Sequence, residues 1–248
     1  MIKTKQKVNA AIIIIGNEIL TGRTQDLNVA VISKWLNDLG VQLEEVRIIP
    51  DIEKVIVTNV NNIKRKFNYV FTTGGIGPTH DDITAKSIAK AFNLKYGYHK
   101  KAYSILEKYY SKNDFTEGRK KMAMMPTKAS LIFNPSSGAP GFIVDNVYCL
   151  PGVPSILKSM LDGLEDKIKG GKKILNKTIT LKTVESEIAE PLRKIQNKYK
   201  GTEIGSYPFF KQGKVGVSIV VRSTDKNLIF DCCKDIKDFI KKTKIETI

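Results

Sequence analysis

No apolar run in this 248-residue chain approaches the roughly 20 residues of a membrane-spanning helix, so a helical membrane protein is not expected. The start of the chain imitates a secretory signal, because Lys3, Lys5 and Lys7 precede Ala10-Ala11-Ile12-Ile13-Ile14-Ile15. That apolar run is short, however, and Gly16-Asn17-Glu18 interrupts it without a small-residue cleavage site, so it reads as a buried strand. Cysteine is scarce. Of the three, Cys149 falls in an apolar strand pattern and Cys232-Cys233 are adjacent in a helical one. Neither arrangement has zinc-ligand or CxxC spacing, and an odd count without a signal is expected of reduced thiols in a cytoplasmic protein. A GxxxxGK[ST] phosphate loop is missing, which excludes the Walker A nucleotide binders. Internal repeats and low-complexity tracts are absent too.

What is present is a core. Hydrophobic residues make up 42% of the chain, which rules out a disordered polypeptide. The length suits one medium domain plus a small one, or a single large α/β domain. The net charge of +16 has two readings: an anionic partner, nucleotide or nucleic acid, or a general bias toward lysine, since the lysines scatter over predicted helix surfaces rather than gathering in one arm.

The pattern alternates. Ala10–Gly16 reads as a buried strand, Leu27–Leu39 as a helix stopped by Gly40, and Val41–Ile49 as a second strand. A helix follows from Ile52 to about Phe67, then a strand at Tyr69–Thr73 and a helix at Asp81–Phe92. This β-α-β-α-β-α order predicts a doubly wound, mostly parallel sheet. Tyr98–Tyr110 and Glu117–Met125 read as helical, Leu131–Leu150 as short strands around "NPSSGAPGF", and Ser155–Ile168 as a helix introduced by "LPGVP". The linker Lys169-Gly170-Gly171-Lys172-Lys173 separates a first domain, 1–170, from a second, 174–248. The second reads β-α-β-β-α: strand Thr178–Val184, helix Ser186–Tyr199, strands Glu203–Pro208 and Lys214–Arg222, helix Leu228–Ile240.

The chemistry concentrates in "TTGGIGPTHDD", Thr72 to Asp82. Gly75-Ile76-Gly77 lacks the third glycine of a dinucleotide fingerprint, yet the loop lies after a strand and before a helix, where backbone N–H groups meet anions. Carboxylates beside phosphates make sense with a divalent cation between them; the alternative for Asp81 is a plain helix N-cap. If the second and third strands flank the first, the loop at Gly16-Asn17-Glu18 and the Gly-rich loop share a switch-point crevice, and Glu18 faces Asp81 and Asp82. Asp26 and Asn28 read either as ribose or phosphate contacts or as caps of the following helix. His80 is a candidate base on weak grounds, and His99 reads as surface. Tyr207-Pro208-Phe209-Phe210 reads as core packing or a turn, with base stacking as the alternative.

"IIIIGNEILTGRTQDLN", "TTGGIGPTHDDIT", "NPSSGAPGF" and "LPGVP", in this order, resemble the molybdopterin-binding-like domain of competence/damage-inducible protein A (CinA) over roughly residues 8–168. The same motifs are similar to the hydrolase half of eukaryotic FAD synthases and, more remotely, to the MoaB, MogA and gephyrin G-domain proteins. The tail from about 174 resembles the small KH-like module that follows this domain in CinA. The resemblance implies a three-layer α/β/α sandwich that is often oligomeric, so a dimer or trimer is expected. It implies metal-dependent cleavage of ADP-ribose or FAD to AMP and a phosphorylated product, ribose 5-phosphate or FMN, with Mg²⁺, Mn²⁺ or Co²⁺ as the cofactor. Adenylylation or binding of molybdopterin, and a non-catalytic nucleotide-binding module, are the alternatives. By the same resemblance Glu18, Asp81 and Asp82 are catalytic candidates, Asp81 and Asp82 also metal ligands. Asn17, Thr73, Gly74, Gly75, Gly77 and Thr79, with Asp26, Asn28, Ser137, Gly138, Pro151 and Gly152, are candidates for holding an adenine or pterin nucleotide. Ser137-Gly138 stands where CinA commonly has Gly-Thr. The chain has no room for CinA's deamidase domain, so that activity is not expected. The tail lacks a GxxG loop, so nucleic acid is not expected as a partner.

Overall fold

The isoleucine-rich run near the N-terminus forms β1 (Asn9–Ile15), and its alternation sets the architecture. Ala10, Ile12 and Ile14 belong to one buried cluster and Ala11, Ile13 and Ile15 to another, because successive strand side chains point to opposite faces. A strand apolar on both faces needs cover on both. The chain supplies it with α1 (Asn17–Leu20), α2 (Asn28–Asp38), β2 (Gln42–Ile49), α3 (Glu53–Ile63), β3 (Tyr69–Thr73) and α4 (Thr84–Ala91). Then come β4 (Tyr96–Tyr98), α5 (Lys100–Tyr109), α6 (Glu117–Lys121), β5 (Met124–Pro126), β6 (Ser130–Ile132), β7 (Gly141–Val144), β8 (Val147–Leu150) and α7 (Pro154–Leu161). Ile32 and Leu36 of α2 and Leu157 and Met160 of α7 pack on one face. Ile56, Val60 and Ile63 of α3, Ile88 of α4 and Leu106 of α5 pack on the other. The result is an α/β/α sandwich.

The central sheet runs β2-β1-β3-β8-β7-β6. Its first four strands are parallel, β7 is antiparallel to β8, and β6 antiparallel to β7. This computed structural model describes residues 8–211 and 214–248; Lys3, Lys5 and Lys7 of the signal-like stretch lie outside them. The chain divides into two units, Met1–Gly171 and Lys172–Ile248.

Three local expectations are corrected. The helix expected from Asp81 begins at Thr84, and Ile83 before it makes no side-chain cap, so Asp81 is not an N-cap. The helix expected over Glu117–Met125 stops at Lys121, and Met124–Pro126 instead pairs antiparallel with Tyr96–Tyr98. His99 is an anchor rather than mere surface: its Nδ1 accepts from the Ala102 N–H at 3.3 Å and caps α5, while its Nε2 lies 3.1 Å from the Ala129 carbonyl.

The second unit follows β9 (Leu175–Leu181), α8 (Glu185–Lys198), β10 (Glu203–Lys211), β11 (Lys214–Ser223) and α9 (Lys226–Thr243), the expected β-α-β-β-α order. Its sheet, β10-β11-β9, is antiparallel. Leu181, Val217, Ile219 and Val221 pack on Ile188 of α8 and on Cys232 and Ile236 of α9. Asp225 starts α9 by accepting from the N–H groups of Asn227 and Leu228. Tyr207-Pro208-Phe209-Phe210 is neither core nor turn. It lies within β10, with Tyr207 44% and Phe210 75% exposed.

No helix among the described residues is long and apolar enough to cross a membrane. All three cysteines are free and buried. Burial pushes the Cys149 thiol up to about 12 and the Cys232 thiol up to about 11, and the thiolate is the reactive form. The folded protein is therefore expected to resist a disulfide reagent at mildly alkaline pH, and guanidinium to release all three thiols. Rapid reaction of Cys149 without denaturant contradicts this packing.

Candidate functional site

Strand order decides where the loops meet. β2 and β3 lie on opposite sides of β1, so the connections leaving β1 and β3 diverge and open a crevice at their carboxyl ends. A cavity of about 600 Å³ occupies that place.

From the first connection, Glu18, Asp26 and Asn28 line it. Glu18 rides on α1, a turn of helix not foreseen from sequence. Gly16 leaves room for it, since a Cβ there would stand 2.5 Å from the Glu18 carboxylate. Asp26 is a cap as well as a lining residue: its Oδ1 accepts from the Val29 N–H at 2.9 Å. Asn28 is buried, 3% exposed, and donates from Nδ2 to the Gly152 carbonyl at 2.8 Å. Among the described residues its Oδ1 has no hydrogen-bond partner, nor has the buried Thr73 hydroxyl. Buried polar atoms are seldom left unsatisfied, and both residues line the cavity, so the pair asks for a ligand or water.

From the second connection come Thr73, Gly74, Gly75, Gly77, Thr79 and Asp82. Gly74 and Gly75 both have positive φ. Asp82 closes a tight turn on Thr79: its Oδ2 accepts from the Thr79 N–H at 2.7 Å and from the Thr79 hydroxyl at 2.6 Å. Ser137, Pro151 and Gly152 complete the wall.

Three expected residues and one doubtful one lie outside the lining. Asn17 donates its backbone N–H to Asp51 Oδ2 at 2.9 Å. Gly138 is a packing position, where a Cβ would meet the Tyr109 ring at 2.6 Å. Asp81 and His80 are exposed on the outer rim. The Asp81 carboxyl is held below its usual value, first by the nearby Thr79 hydroxyl, whose one proton goes to Asp82 Oδ2, and then by the Asp81 N–H and the charges of His80 and Lys121.

Sequence reasoning missed two residues that build the site. Asp51, two residues beyond the end of β2, is the first. Partial burial first, and then the carboxylates of Glu18, Asp81 and Asp82, raise its pKa against the lowering effect of the Asn17 N–H. Asp51 thus feels three carboxylates from the connections after β1 and β3. Asn134, buried in "NPSSGAPGF", accepts from the Ser136 and Ser137 N–H groups and donates to Ser137 Oγ and the Ala139 carbonyl, which fixes that loop against the cavity. An Asn followed within three residues by two serines is an Asx-turn signal. Among the described residues no group of three or more His, Cys, Asp or Glu is placed to hold a metal by itself.

Residues 11–169 match the family described as "Probable molybdopterin binding domain", and residues 173–247 match "FAD synthase, middle domain". A protein of Archaeoglobus fulgidus is 34% identical over 215 residues, 87% of this chain and 91% of that one. A competence-damage inducible protein of Clostridium botulinum (strain Okra) is 30% identical over an alignment of 253 positions, which covers 94% of this chain and 60% of that protein. The chain thus spans less than two thirds of that relative's length. The crystal structure of CinA from Thermoplasma acidophilum, described as of unknown function, matches with a TM-score of 0.61 at 33% identity, covering 65% of this chain and 98% of that one. The chain belongs to the molybdopterin-binding-domain family, among its CinA-like members.

Proposed function

We propose that this protein hydrolyses an adenylyl diphosphate, ADP-ribose to AMP and ribose 5-phosphate or FAD to AMP and FMN, with a divalent cation. The observation that carries the reading is the meeting of a glycine loop and the carboxylates of Glu18 and Asp82 in one switch-point cavity. The match of the second unit to the FAD synthase middle domain supports FAD as a substrate to include.

The residues present fit such a cation. Mg²⁺ is usually held by one or two carboxylates and completed by substrate phosphates, which suits a site with no preassembled three-ligand cluster. Asp82 and Glu18 are the side chains we assign to it, with Asp81 at the rim. Mg²⁺, Mn²⁺ or Co²⁺ supplies Lewis-acid polarisation of the diphosphate when bound. The protein's own groups do the rest. Backbone N–H groups of Gly75 and Gly77 receive phosphate oxygens, and Thr79 is held toward them by Asp82. The unpartnered Asn28 Oδ1 accepts from a ribose hydroxyl. Water bonds to one phosphorus, the bridging P–O bond breaks with the bridging oxygen staying on the leaving phosphate, and Glu18 accepts the proton from water.

The test is AMP release from ADP-ribose and FAD with Mg²⁺, Mn²⁺ or Co²⁺, each against a chelator control. Cation-dependent AMP from either substrate is the expected result; none from both sinks the hydrolase. A second reading follows from the family description: binding or adenylylation of molybdopterin. Pterin that copurifies and fluoresces after oxidation would favour it over hydrolysis. Self-association as a dimer or trimer belongs to our reading too; it is supported by β2, an edge strand with Val46 40% and Ile48 45% exposed, and is checked by sedimentation. Its buried, unpaired thiols suit a cytoplasmic setting.

A further inference from the structure

The charge in the cavity wall does not match a diphosphate. Glu18, Asp26 and Asp82 are acidic, and among the described residues no lysine, arginine or histidine lines it. A cation offsets part of this. A second positive charge stands just outside. α6 lies on the Gly-rich loop: a Cβ on Gly118 would come 3.6 Å from the Pro78 carbonyl. Lys121, its last residue, donates its ammonium to the Thr79 carbonyl. Met122, one residue on, lines the cavity.

The neighbouring cations are engaged. Arg119 pairs with Asp114 at 3.4 Å and lies over the Tyr110 ring. Lys120 pairs with Glu117 at 2.6 Å. Lys121 has no carboxylate within ion-pair distance among the described residues, and the group it holds is a neutral carbonyl. A charge-assisted bond to phosphate is about twice as strong as one between neutral groups, and a flexible lysine stem follows a displaced partner easily.

We propose that Lys121 is the phosphate-recognising side chain of this cavity, releasing the Thr79 carbonyl to pair with a non-bridging oxygen of the bound diphosphate. This rests on the adenylyl-diphosphate reading above. It makes α6 a fifth contributor to the site, beside the connections after β1, β3, β6 and β8. It also gives the site a means of telling a diphosphate from a nucleoside.

The test compares wild type, Lys121→Met and Lys121→Arg for equilibrium binding of ADP-ribose and of adenosine, with Mg²⁺ and with thermal melts to verify folding. Lys121→Met should weaken ADP-ribose about 10- to 100-fold and leave adenosine unchanged. Lys121→Arg should recover most of the loss, and KM should rise more than kcat falls where turnover is seen. Equal ADP-ribose affinity in wild type and Lys121→Met overturns the assignment, as does an equal loss for adenosine. A wild type that binds ADP-ribose without cleaving it defeats the hydrolase but leaves the Lys121 contrast to be read. A wild type that binds neither ADP-ribose nor inorganic pyrophosphate defeats both.

Discussion

Asp82→Asn is expected to lower AMP release by about 100-fold or more while the protein melts where the wild type does. The reason is the way the carboxylate is used. Both Thr79 donors go to Oδ2, at 2.7 and 2.6 Å, and Oδ1 is not part of that turn. Asparagine offers its carbonyl oxygen to Thr79 and keeps the turn. It puts an amide donor where the carboxylate had an anionic acceptor, and an amide is a poor ligand for a hard cation. Asp81→Asn is the paired control. Asp81 is exposed and does not line the cavity, so its loss is expected to cost only a few-fold, in line with an exposed charge at the rim. Steady-state AMP release with saturating Mn²⁺, and melts of both variants, make the comparison. Equal losses for the two variants would mean that the Asp82 carboxylate has no role beyond that of the rim carboxylate Asp81.

Gly74→Ala has the largest expected effect on stability. Gly74 follows β3 directly, with φ at +97°, a region that costs a side-chain-bearing residue about 1–3 kcal/mol. A Cβ there would also stand 2.2 Å from the Ile15 carbonyl oxygen of β1, which is backbone and cannot swing aside. Relief requires moving the end of β1 away from β3, two interior strands of the sheet; overpacking of this kind costs about 1–3 kcal/mol. Together the substitution should destabilise by about 3 kcal/mol or more and lower Tm by roughly 6–12 °C for a domain of this size. Gly22→Ala isolates the conformational part: φ is +71° there but nothing lies within 4 Å of the added carbon. The two variants melting together would refute the close-approach argument. Loss of nucleotide binding is expected with Gly74→Ala, because the same shift opens the cavity floor.

The parts of this site that were legible in the sequence are local ones. The β-branched run of β1, the glycines after Tyr69–Thr73 and the turn at "NPSSGAPGF" announce themselves within ten residues. The crevice itself was conditional on strand order, and the order β2-β1-β3 satisfies the condition. The rest depends on partners far along the chain. Asp51 meets Asn17 across 34 residues and Lys121 meets Thr79 across 42, and no periodicity records such pairs. Met124 and Met125 fall in a helical pattern yet form a strand, because a three-residue strand owes its form to Tyr96–Tyr98 opposite it rather than to propensity. The adjacent acids Asp81 and Asp82 look equivalent on paper. The turn on Thr79 points only the second into the cavity.

The acidic wall of the cavity has a thermodynamic consequence. Glu18, Asp26 and Asp82 disfavour a bare diphosphate, so a cation that neutralises them raises nucleotide affinity. Linkage then requires the nucleotide to raise cation affinity by the same factor. On the proposed function the two ligands would behave as one: each alone would bind weakly, and half-saturation for either would shift with the concentration of the other. The protein would then respond to the cation–nucleotide complex, and a fall in free divalent cation would silence it even with substrate abundant.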